Sequence, residues 1–445
     1  MADEHPAALG AAAAARRIRE GLLSSEELVE GCLARIRQVE PEVRAWQFLD
    51  EKHALAEARS ADKRKREGAP IGPLHGVPVG VKDIIDTADM PTENGTVLCK
   101  GRTPREDAAV VKLLRAAGAV MLGKTVTTEC AYFSPGKTRN PHNPKHTPGG
   151  SSSGSAAAVG ASMVPLALGS QTAGSVIRPA AFCGVYGMKP THGLIPRNGI
   201  LQLSRTLDHV GFFARSLDDL ALLLEQLHGW DDRDPDTRPR ARIPFGELSR
   251  EEPPVEPMFA LVKTPHWERG DADMKEAFGE LQETLGERVE EVDPFAASGT
   301  QAWDWHRTIM AAEMAANLEP LWTRGKAKLS DKLRELLEHG REVRAVDHQR
   351  VLQRVPLALE ALDELFRERY DAILTPPALG TAPKGLTSTG DPAFCSVWTL
   401  MGMPAITLPL MRGENGLPLG VQLVGRKGFD ARLLRTARWL EKKLA

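Results

Sequence analysis

The sequence predicts an α/β protein built on a largely parallel sheet. Short apolar runs typical of strands alternate with helical patterns; the runs lie at Val77–Val81, Ala119–Leu122 and Val164–Leu168. This alternation is characteristic of parallel βαβ units. At average domain sizes the 445 residues would make about three domains, but one large α/β domain also accommodates this length.

The first 65 residues predict helices that pack on a main domain covering residues 66–445. Ser24 and Glu27 form a capping-box pattern, because a hydroxyl at the N-cap and a glutamate three residues later satisfy each other's free backbone amides. An apolar stripe at helical spacing follows: Leu28, Val29, Cys32, Leu33 and Ile36.

One charged segment separates the elements of the first half of the chain from those that begin at Met258. Residues 231–257 hold 13 charged residues and 6 prolines, which predicts a variable excursion on the surface. Four strand patterns follow, at Met258–Val262, Asp371–Leu374, Ala405–Leu408 and Gly420–Val424. A helix over Ala431–Leu444 is expected to close the chain.

Composition excludes several classes of function. Lys plus Arg number 57 and Asp plus Glu 59, so no basic excess exists to neutralise a nucleic-acid backbone. The five cysteines lie far apart, which argues against a disulfide framework and a zinc site and fits a reducing compartment. Acidic residues at positions 3 and 4 stand where a signal peptide would carry Lys or Arg, so we expect a cytoplasmic protein. No metal or organic cofactor is expected.

One uncharged stretch resembles a membrane span but is better explained as protein interior. Residues 149–177 carry no charge over 29 positions, yet 15 of them are Gly, Ser, Thr or Gln. A lipid-exposed helix needs about 20 mostly apolar residues. We therefore expect no membrane association, and a buried segment rich in hydroxyl groups.

Three pieces of sequence carry the candidate chemistry. They are Lys82 at the end of an apolar strand, the run Gly149–Ser155, and the run Gln171–Pro179. A flexible linker is a poor explanation for the Gly/Ser run, because that run lies in the most apolar part of the chain. A phosphate-binding loop would need a Gly-Lys-Ser/Thr ending, which this run lacks.

Ser152 offers one alternative, as the serine of a Gly-x-Ser-x-Gly nucleophile elbow over Gly150–Gly154. An α/β-hydrolase esterase of that type needs an apolar strand directly before the elbow. The preceding residues 140–148 are rich in Pro, Asn and His instead. It also uses a late histidine as base, whereas the last histidine here is His348.

Hydroxyl catalysis without histidine accounts for all three pieces. Serine becomes nucleophilic only when a neighbouring base takes its proton. A buried lysine can be that base, because desolvation disfavours the ammonium form. A second hydroxyl can relay the proton, and a glycine-rich turn exposes backbone N–H groups to the developing oxyanion.

The same pieces resemble the amidase signature family, whose members hydrolyse amides with a Ser–cis-Ser–Lys triad. The resemblance is strongest over His75–Pro196 and returns over Trp398–Gly425. It implies Ser175 as nucleophile, Ser151 as relay in a non-proline cis peptide, Lys82 as base and Ser152 as support. The backbone N–H groups of Thr172, Ala173, Gly174 and Ser175 would form the oxyanion hole. The implied fold is a single α/β/α domain around a mixed sheet.

Two departures from the family pattern bear on the substrate. Many members read Asp-Thr-Gly-Gly-Ser-Ile-Arg, whereas this chain has Gln171, Ala173 and an arginine one place later, Arg178. Malonamidase-type members share the glutamine and the late arginine, and there the arginine holds a substrate carboxylate. A planar guanidinium suits that task. A structural salt bridge is the alternative role for Arg178.

The expected function is an amidohydrolase that cleaves the C–N bond of a small-molecule amide, with an amide of a dicarboxylic acid as one candidate. Three alternatives remain open. The first is a broad arylamide, carbamate or ester hydrolase of the same family, the second a transamidation subunit that works with partner chains, and the third the Ser152 esterase. The sequence leaves open whether the chain forms a homodimer.

Overall fold

The computed structural model describes residues 5–444 and builds them on one large sheet. The first four residues lie outside this range, among them the acidic Asp3 and Glu4 on which the expectation about a signal peptide depended. The strands are β1 (Trp46–Leu49), β2 (Pro78–Lys82), β3 (Val120–Thr125), β4 (Leu166–Gln171), β5 (Tyr186–Lys189), β6 (His209–Ala214), β7 (Phe259–Leu261), β8 (Val289–Glu291), β9 (Ala372–Thr375), β10 (Ala405–Arg412) and β11 (Pro418–Val424).

The sheet is mixed, as the resemblance implied. Its strand order is β1-β3-β2-β4-β6-β5-β10-β11-β9-β7-β8. Within residues 5–444, parallel pairing is limited to β2 with β3 and β4, and to β7 with β8 and β9. The other six pairings are antiparallel, so the sheet is less parallel than the strand–helix alternation suggested.

Helices cover both faces of the sheet, which gives the expected α/β/α layers. Leu166 and Leu168 of β4 face one hydrophobic core, and Ala167 between them faces the other. No helix within residues 5–444 has both the length and the apolar character needed to cross a membrane. The helices are α1 (Ala11–Glu20), α2 (Ser25–Val43), α3 (Glu51–Arg66), α4 (Ala109–Ala116), α5 (Ser153–Gly160), α6 (Ile177–Cys183), α7 (Leu217–Leu227), α8 (Phe245–Leu248), α9 (Ala272–Leu285), α10 (Gln301–Asn317), α11 (Glu319–Gly325), α12 (Asp331–Glu342), α13 (Ala345–Glu368), α14 (Ser396–Leu400) and α15 (Asp430–Leu444).

The amino-terminal region is helical except for one strand. The capping box of α2 is confirmed, since Glu27 N donates to Ser24 Oγ over 3.1 Å and Ser24 N to Glu27 Oε2 over 2.7 Å. The expectation of helices throughout residues 1–65 is wrong at β1, which pairs antiparallel with β3. Arg44, with φ of 56°, ends α2 and turns the chain into the strand. The boundary at residue 65 stays a prediction, with one strand of the sheet on its amino-terminal side.

The charged segment 231–257 has little regular structure but is tied to the body of the protein. Its one helical stretch is α8, whose Phe245 is buried. Asp234 is also buried, and its Oδ1 accepts from Arg197 Nη2 over 2.9 Å. An ion pair and an apolar anchor therefore hold this excursion against the domain.

The central strands place the candidate site. Because β2 and β4 are parallel neighbours, their carboxyl ends, Lys82 and Gln171, reach the same edge of the sheet. The chain enters α5 and α6 beside this edge, and both helices are almost entirely buried. Gly154 permits the close packing of α5, since a Cβ there would lie 2.3 Å from Ala45 O and Val126 N.

Candidate active site

Lys82 is a fully buried lysine at the end of β2. Its Nζ donates to Ser151 Oγ over 2.7 Å and to Ser170 Oγ over 2.8 Å. Burial holds the pKa of Lys82 well below its usual value, and the charge of Asp208 opposes this shift only in part. The amine is therefore disposed to be neutral and to accept a proton.

Ser151 lies in the turn that leads into α5. The Gly150–Ser151 peptide bond is cis, the arrangement that the family resemblance implied. Gly149 before it has a φ of 81°, and a Cβ there would come within 2.8 Å of Pro179 Cα. A glycine meets both demands, since it tolerates positive φ and leaves room for the neighbouring backbone.

Ser152 is placed to support this turn. Its Oγ donates to Ser170 O over 3.2 Å and accepts from Ser170 N over 3.3 Å, and the side chain is fully buried. Within the described residues, no strand runs through residues 140–148 before it. A buried hydroxyl engaged at both ends cannot meet a substrate, so the geometry contradicts the nucleophile-elbow alternative.

The segment Thr172–Ser175 follows β4 directly and forms a loop beside Ser151. Gln171 holds the far end of this loop, because its Oε1 accepts from Val176 N over 2.8 Å and from Ile177 N over 3.0 Å. The amide N–H groups of Ala173, Gly174 and Ser175 have no hydrogen-bond acceptor among the described residues. They are available to an incoming oxygen atom.

Ser175 stands at the end of the loop, before α6, and is 8% exposed. Its carbonyl accepts from Ser152 N over 3.4 Å, which ties the two serine-bearing turns together. Ser175 and Ser151 both line one small cavity. The structure thus brings together the three residues implied as a triad, two of them through the Lys82–Ser151 hydrogen bond.

The wall of this cavity is mostly apolar. Its apolar side chains are Ala131, Tyr132, Phe133, Ala173, Leu203, Met310 and Met314. Polar groups are contributed by Ser151, Thr172, Ser175, Arg178 and Thr389. Tyr132, Phe133 and Met310 also border a wider, open groove, which offers a substrate a way in from solvent.

Arg178 is buried beside the cavity and binds backbone carbonyl groups. Its Nε donates to Thr389 O over 2.8 Å and its Nη2 to Gly150 O over 2.7 Å. These contacts do not match the structural salt bridge that the sequence raised as one alternative, because no described carboxylate forms a salt bridge with Arg178. Its Nη1 has no partner in residues 5–444 and lies on the side of Gly174, where a Cβ would be 2.9 Å away.

Several residues that shape the site were not singled out by sequence reasoning. Ser170 shares the Lys82 amine with Ser151. Asp208 Oδ1 accepts from Thr172 Oγ1 over 2.6 Å, and burial raises the pKa of Asp208 to about 6. His306 and Thr399 hold loop carbonyls from outside. Ser170 lies inside the uncharged stretch and Thr399 inside the matching segment Trp398–Gly425, whereas Asp208 and His306 lie outside every segment that the sequence singled out.

A second cavity, larger than the one lined by Ser175, lies beside the loop. Ser170, Thr172 and Asp208 reach it, together with Arg197 and Arg205. Neither Ser151 nor Ser175 lines this cavity. Size therefore does not identify the reacting centre here; the smaller cavity holds the candidate nucleophile.

Comparison with known proteins shows the family to which the chain belongs. The profile of the Amidase family matches residues 27–434. A glutamyl-tRNA(Gln) amidotransferase subunit from Symbiobacterium thermophilum is 35% identical, over 98% of this chain and 96% of the relative.

Solved structures with the same fold are similar over nearly the whole chain. The 6-aminohexanoate cyclic dimer hydrolase complexed with substrate gives a TM-score of 0.85 at 28% identity, over 98% of this chain and 97% of that one. The native peptide amidase from Stenotrophomonas maltophilia gives 0.82 at 30% identity, over 98% and 96%. On the match to the family profile and to these relatives, the chain belongs to the amidase family, whose enzymes act on C–N bonds.

Proposed function

We propose that the chain cleaves C–N amide bonds by acyl transfer to Ser175. The observation that carries this proposal is the buried Lys82, whose Nζ donates to Ser151 Oγ over 2.7 Å at the cavity that Ser175 also lines. The free amides of Ala173, Gly174 and Ser175 beside it supply donors for an oxyanion.

The proposed reaction uses only groups of the chain, substrate and water. Neutral Lys82 takes the Ser151 proton while Ser151 takes the proton of Ser175, whose Oγ forms a bond to the amide carbon. The carbonyl oxygen becomes an oxyanion on the loop amides. Lys82 then returns its proton through Ser151 to the leaving nitrogen as the C–N bond breaks. Water repeats the sequence on the acyl-enzyme and restores Ser175.

The lining of the cavity favours a substrate whose acyl group is small and has an apolar body and an acidic end. Tyr132, Phe133 and Met310 provide apolar surface, and the unpartnered Nη1 of buried Arg178 provides a positive donor. A buried cation without a carboxylate partner is costly, so an anionic substrate group would lower that cost. We therefore favour an amide of a dicarboxylic acid over a neutral arylamide, carbamate or ester.

A transamidation role is the second candidate, and one observation favours it. Relatives named as subunits of glutamyl-tRNA(Gln) amidotransferase match this chain over almost their whole length at 32–35% identity. In that role Ser175 would still cleave an amide, but the nitrogen would pass to an acceptor held by partner chains. The reacting residues are the same in both proposals; the fate of the nitrogen differs.

A matched substrate panel with the purified chain tests the proposal. Succinamic acid and butyramide differ mainly in the terminal carboxylate, and glutamine, an anilide and a carbamate extend the comparison. We expect release of ammonia or amine by the chain alone, with the highest kcat/KM for succinamic acid. Turnover only in the presence of partner chains would favour transamidation. A preference for the anilide or the carbamate would overturn the dicarboxylic assignment.

We further propose a cytoplasmic location. The five cysteines Cys32, Cys99, Cys130, Cys183 and Cys395 are free thiols, all of them buried. Reducing compartments preserve such thiols. Intact free thiols in protein isolated from its native cells, and an absence from secreted fractions, are the expected results.

A further inference from the structure

Two side chains that take no part in the proposed proton transfer form hydrogen bonds to backbone carbonyls of the loop Thr172–Ser175. His306, on α10, is 2% exposed, and its Nε2 lies 2.8 Å from Thr172 O. A carbonyl oxygen can only accept, so His306 Nε2 carries the hydrogen. Burial lowers the pKa of His306 to about 4, which keeps the ring neutral near pH 7.

Thr399, on α14, performs the equivalent task one residue later. Its Oγ1 donates to Ala173 O over 2.7 Å and accepts from Gln171 Nε2 over 2.9 Å. The Oε1 of the same Gln171 accepts hydrogen bonds from the backbone N–H groups of Val176 and Ile177. The loop is thus held by Gln171 and Thr399, which are hydrogen-bonded to each other, and by His306.

These contacts determine where the free amides point. In a planar trans peptide the C=O and the following N–H lie on opposite sides. Thr172 C=O and Ala173 N–H share one peptide, and Ala173 C=O and Gly174 N–H share the next. Holding both carbonyls outward therefore turns both N–H groups the other way, and these are two of the amides that lack an acceptor within residues 5–444.

His306 also links this loop to the cavity wall. Residues four apart on a helix lie on one face, so His306, Met310 and Met314 form a single stripe of α10. Both methionines line the cavity that contains Ser175. The helix that lines the cavity beside Ser175 is therefore also the helix that holds the Thr172 carbonyl.

We propose that His306 and Thr399 are positioning residues for the oxyanion hole, His306 for the Ala173 N–H and Thr399 for the Gly174 N–H. The proposal rests on the proposed acyl transfer to Ser175. Their contribution is greatest in the transition state, where the oxygen carries charge, and small for the planar amide.

Paired variants test this. His306→Leu removes the donor, whereas His306→Gln retains a donor nitrogen at similar reach; Thr399→Val and Thr399→Ser form a second pair. We measure kcat, KM and the Ki of a trifluoromethyl ketone analogue of the best substrate. His306→Leu and Thr399→Val should each lower kcat about ten- to a hundredfold and weaken the ketone similarly, with KM within about twofold. The variants His306→Gln and Thr399→Ser should retain most of the wild-type kcat and most of the wild-type affinity for the ketone.

Ile309→Val is the control, since Ile309 is a buried α10 residue that does not line the cavity with Ser175. It should lower Tm without changing the ratio of ketone Ki to KM. Unchanged ketone affinity in both His306→Leu and Thr399→Val would overturn the proposal. So would losses of kcat and ketone affinity that are as large in His306→Gln and Thr399→Ser as in the variants without a donor. Stoichiometric fluorophosphonate labelling of Ser175 in every variant separates this result from a failure of the acyl-transfer proposal. If His306→Leu fails to fold, the Thr399 pair decides.

Discussion

Lys82 Nζ donates to Ser151 Oγ over 2.7 Å, although the two residues are 69 positions apart in the chain. The contact forms because β2 ends at Lys82 and the turn before α5 crosses that end of the sheet. No charged partner bonds to this amine in the described chain; both of its hydrogen-bond partners are serine hydroxyls. The geometry is that of a base poised to exchange a proton with a hydroxyl.

The first prediction concerns this pair as a unit. Lys82→Ala and Ser151→Ala should each lower kcat by about three orders of magnitude or more, and the double variant should lose little beyond the worse single one, because a broken relay fails as a whole. Single-turnover rates of acyl-enzyme formation give the measurement. Losses that multiply in the double variant would show that the two groups act independently.

The second prediction gives the sign of the pH dependence. Lys82 must be neutral to accept a proton, so kcat/KM should fall as the pH drops through its lowered pKa. The charge of Asp208 raises the pKa of Lys82, so Asp208→Asn should move this acidic limb to lower pH. A pH–rate profile of both proteins measures the shift. A limb that stays in place, or moves upward, contradicts the assignment of that limb to Lys82.

The third prediction concerns stability. Burial lowers the pKa of Lys82 from its ordinary value of 10.5, so the unfolded chain binds the proton more tightly than the folded one. The wild-type free energy of unfolding should therefore rise with pH between the two pKa values, and Lys82→Met should lack that contribution.

At pH 7 the Lys82→Met variant should be inactive yet more stable, by about 1–2 kcal/mol in the free energy of unfolding. Denaturant unfolding at several pH values measures the difference, which should close as the pH approaches 10.5. A difference that is constant with pH would mean that the lysine is not held neutral at a cost.

The fourth prediction concerns Arg178. Because its Nε and Nη2 hold Thr389 O and Gly150 O, any truncation should reduce activity towards all substrates to some extent. The carboxylate contact should appear in the ratio of kcat/KM for succinamic acid to kcat/KM for butyramide. For Arg178→Gln, kcat/KM for succinamic acid should fall about ten- to a hundredfold further than for butyramide, the usual range for a charge-assisted hydrogen bond. Equal losses for both would leave Arg178 only its backbone contacts.

Local sequence patterns indicated the segments that form the site, namely the uncharged run rich in hydroxyls and the lysine after an apolar strand. The resemblance to the amidase signature family supplied the individual residues Ser151, Ser152, Ser175 and Lys82. The structure places these four residues at one sheet edge. The salt bridge considered for Arg178 is replaced by contacts to two backbone carbonyls, which carry no sequence signal.

The contacts that the sequence did not reveal come from distant elements. Thr172 is separated from His306 by 134 positions, and Ala173 from Thr399 by 226, so no local periodicity could pair them. The same limit applied to the fold. Strand alternation suggested mainly parallel pairing, but the antiparallel β10 and β11 return next to β5 and β9 through connections whose direction the pattern does not encode.

Covalent labelling with a fluorophosphonate, followed by peptide mapping, tests the central claim most directly. The account predicts one adduct on Ser175 Oγ in the wild-type chain, and no labelling and no turnover in Ser175→Ala. Ser152→Ala serves as the matched control and should still be labelled, since the Ser152 side chain is buried and engaged with Ser170. An adduct on Ser152 or Ser151, or full turnover by Ser175→Ala, would contradict it.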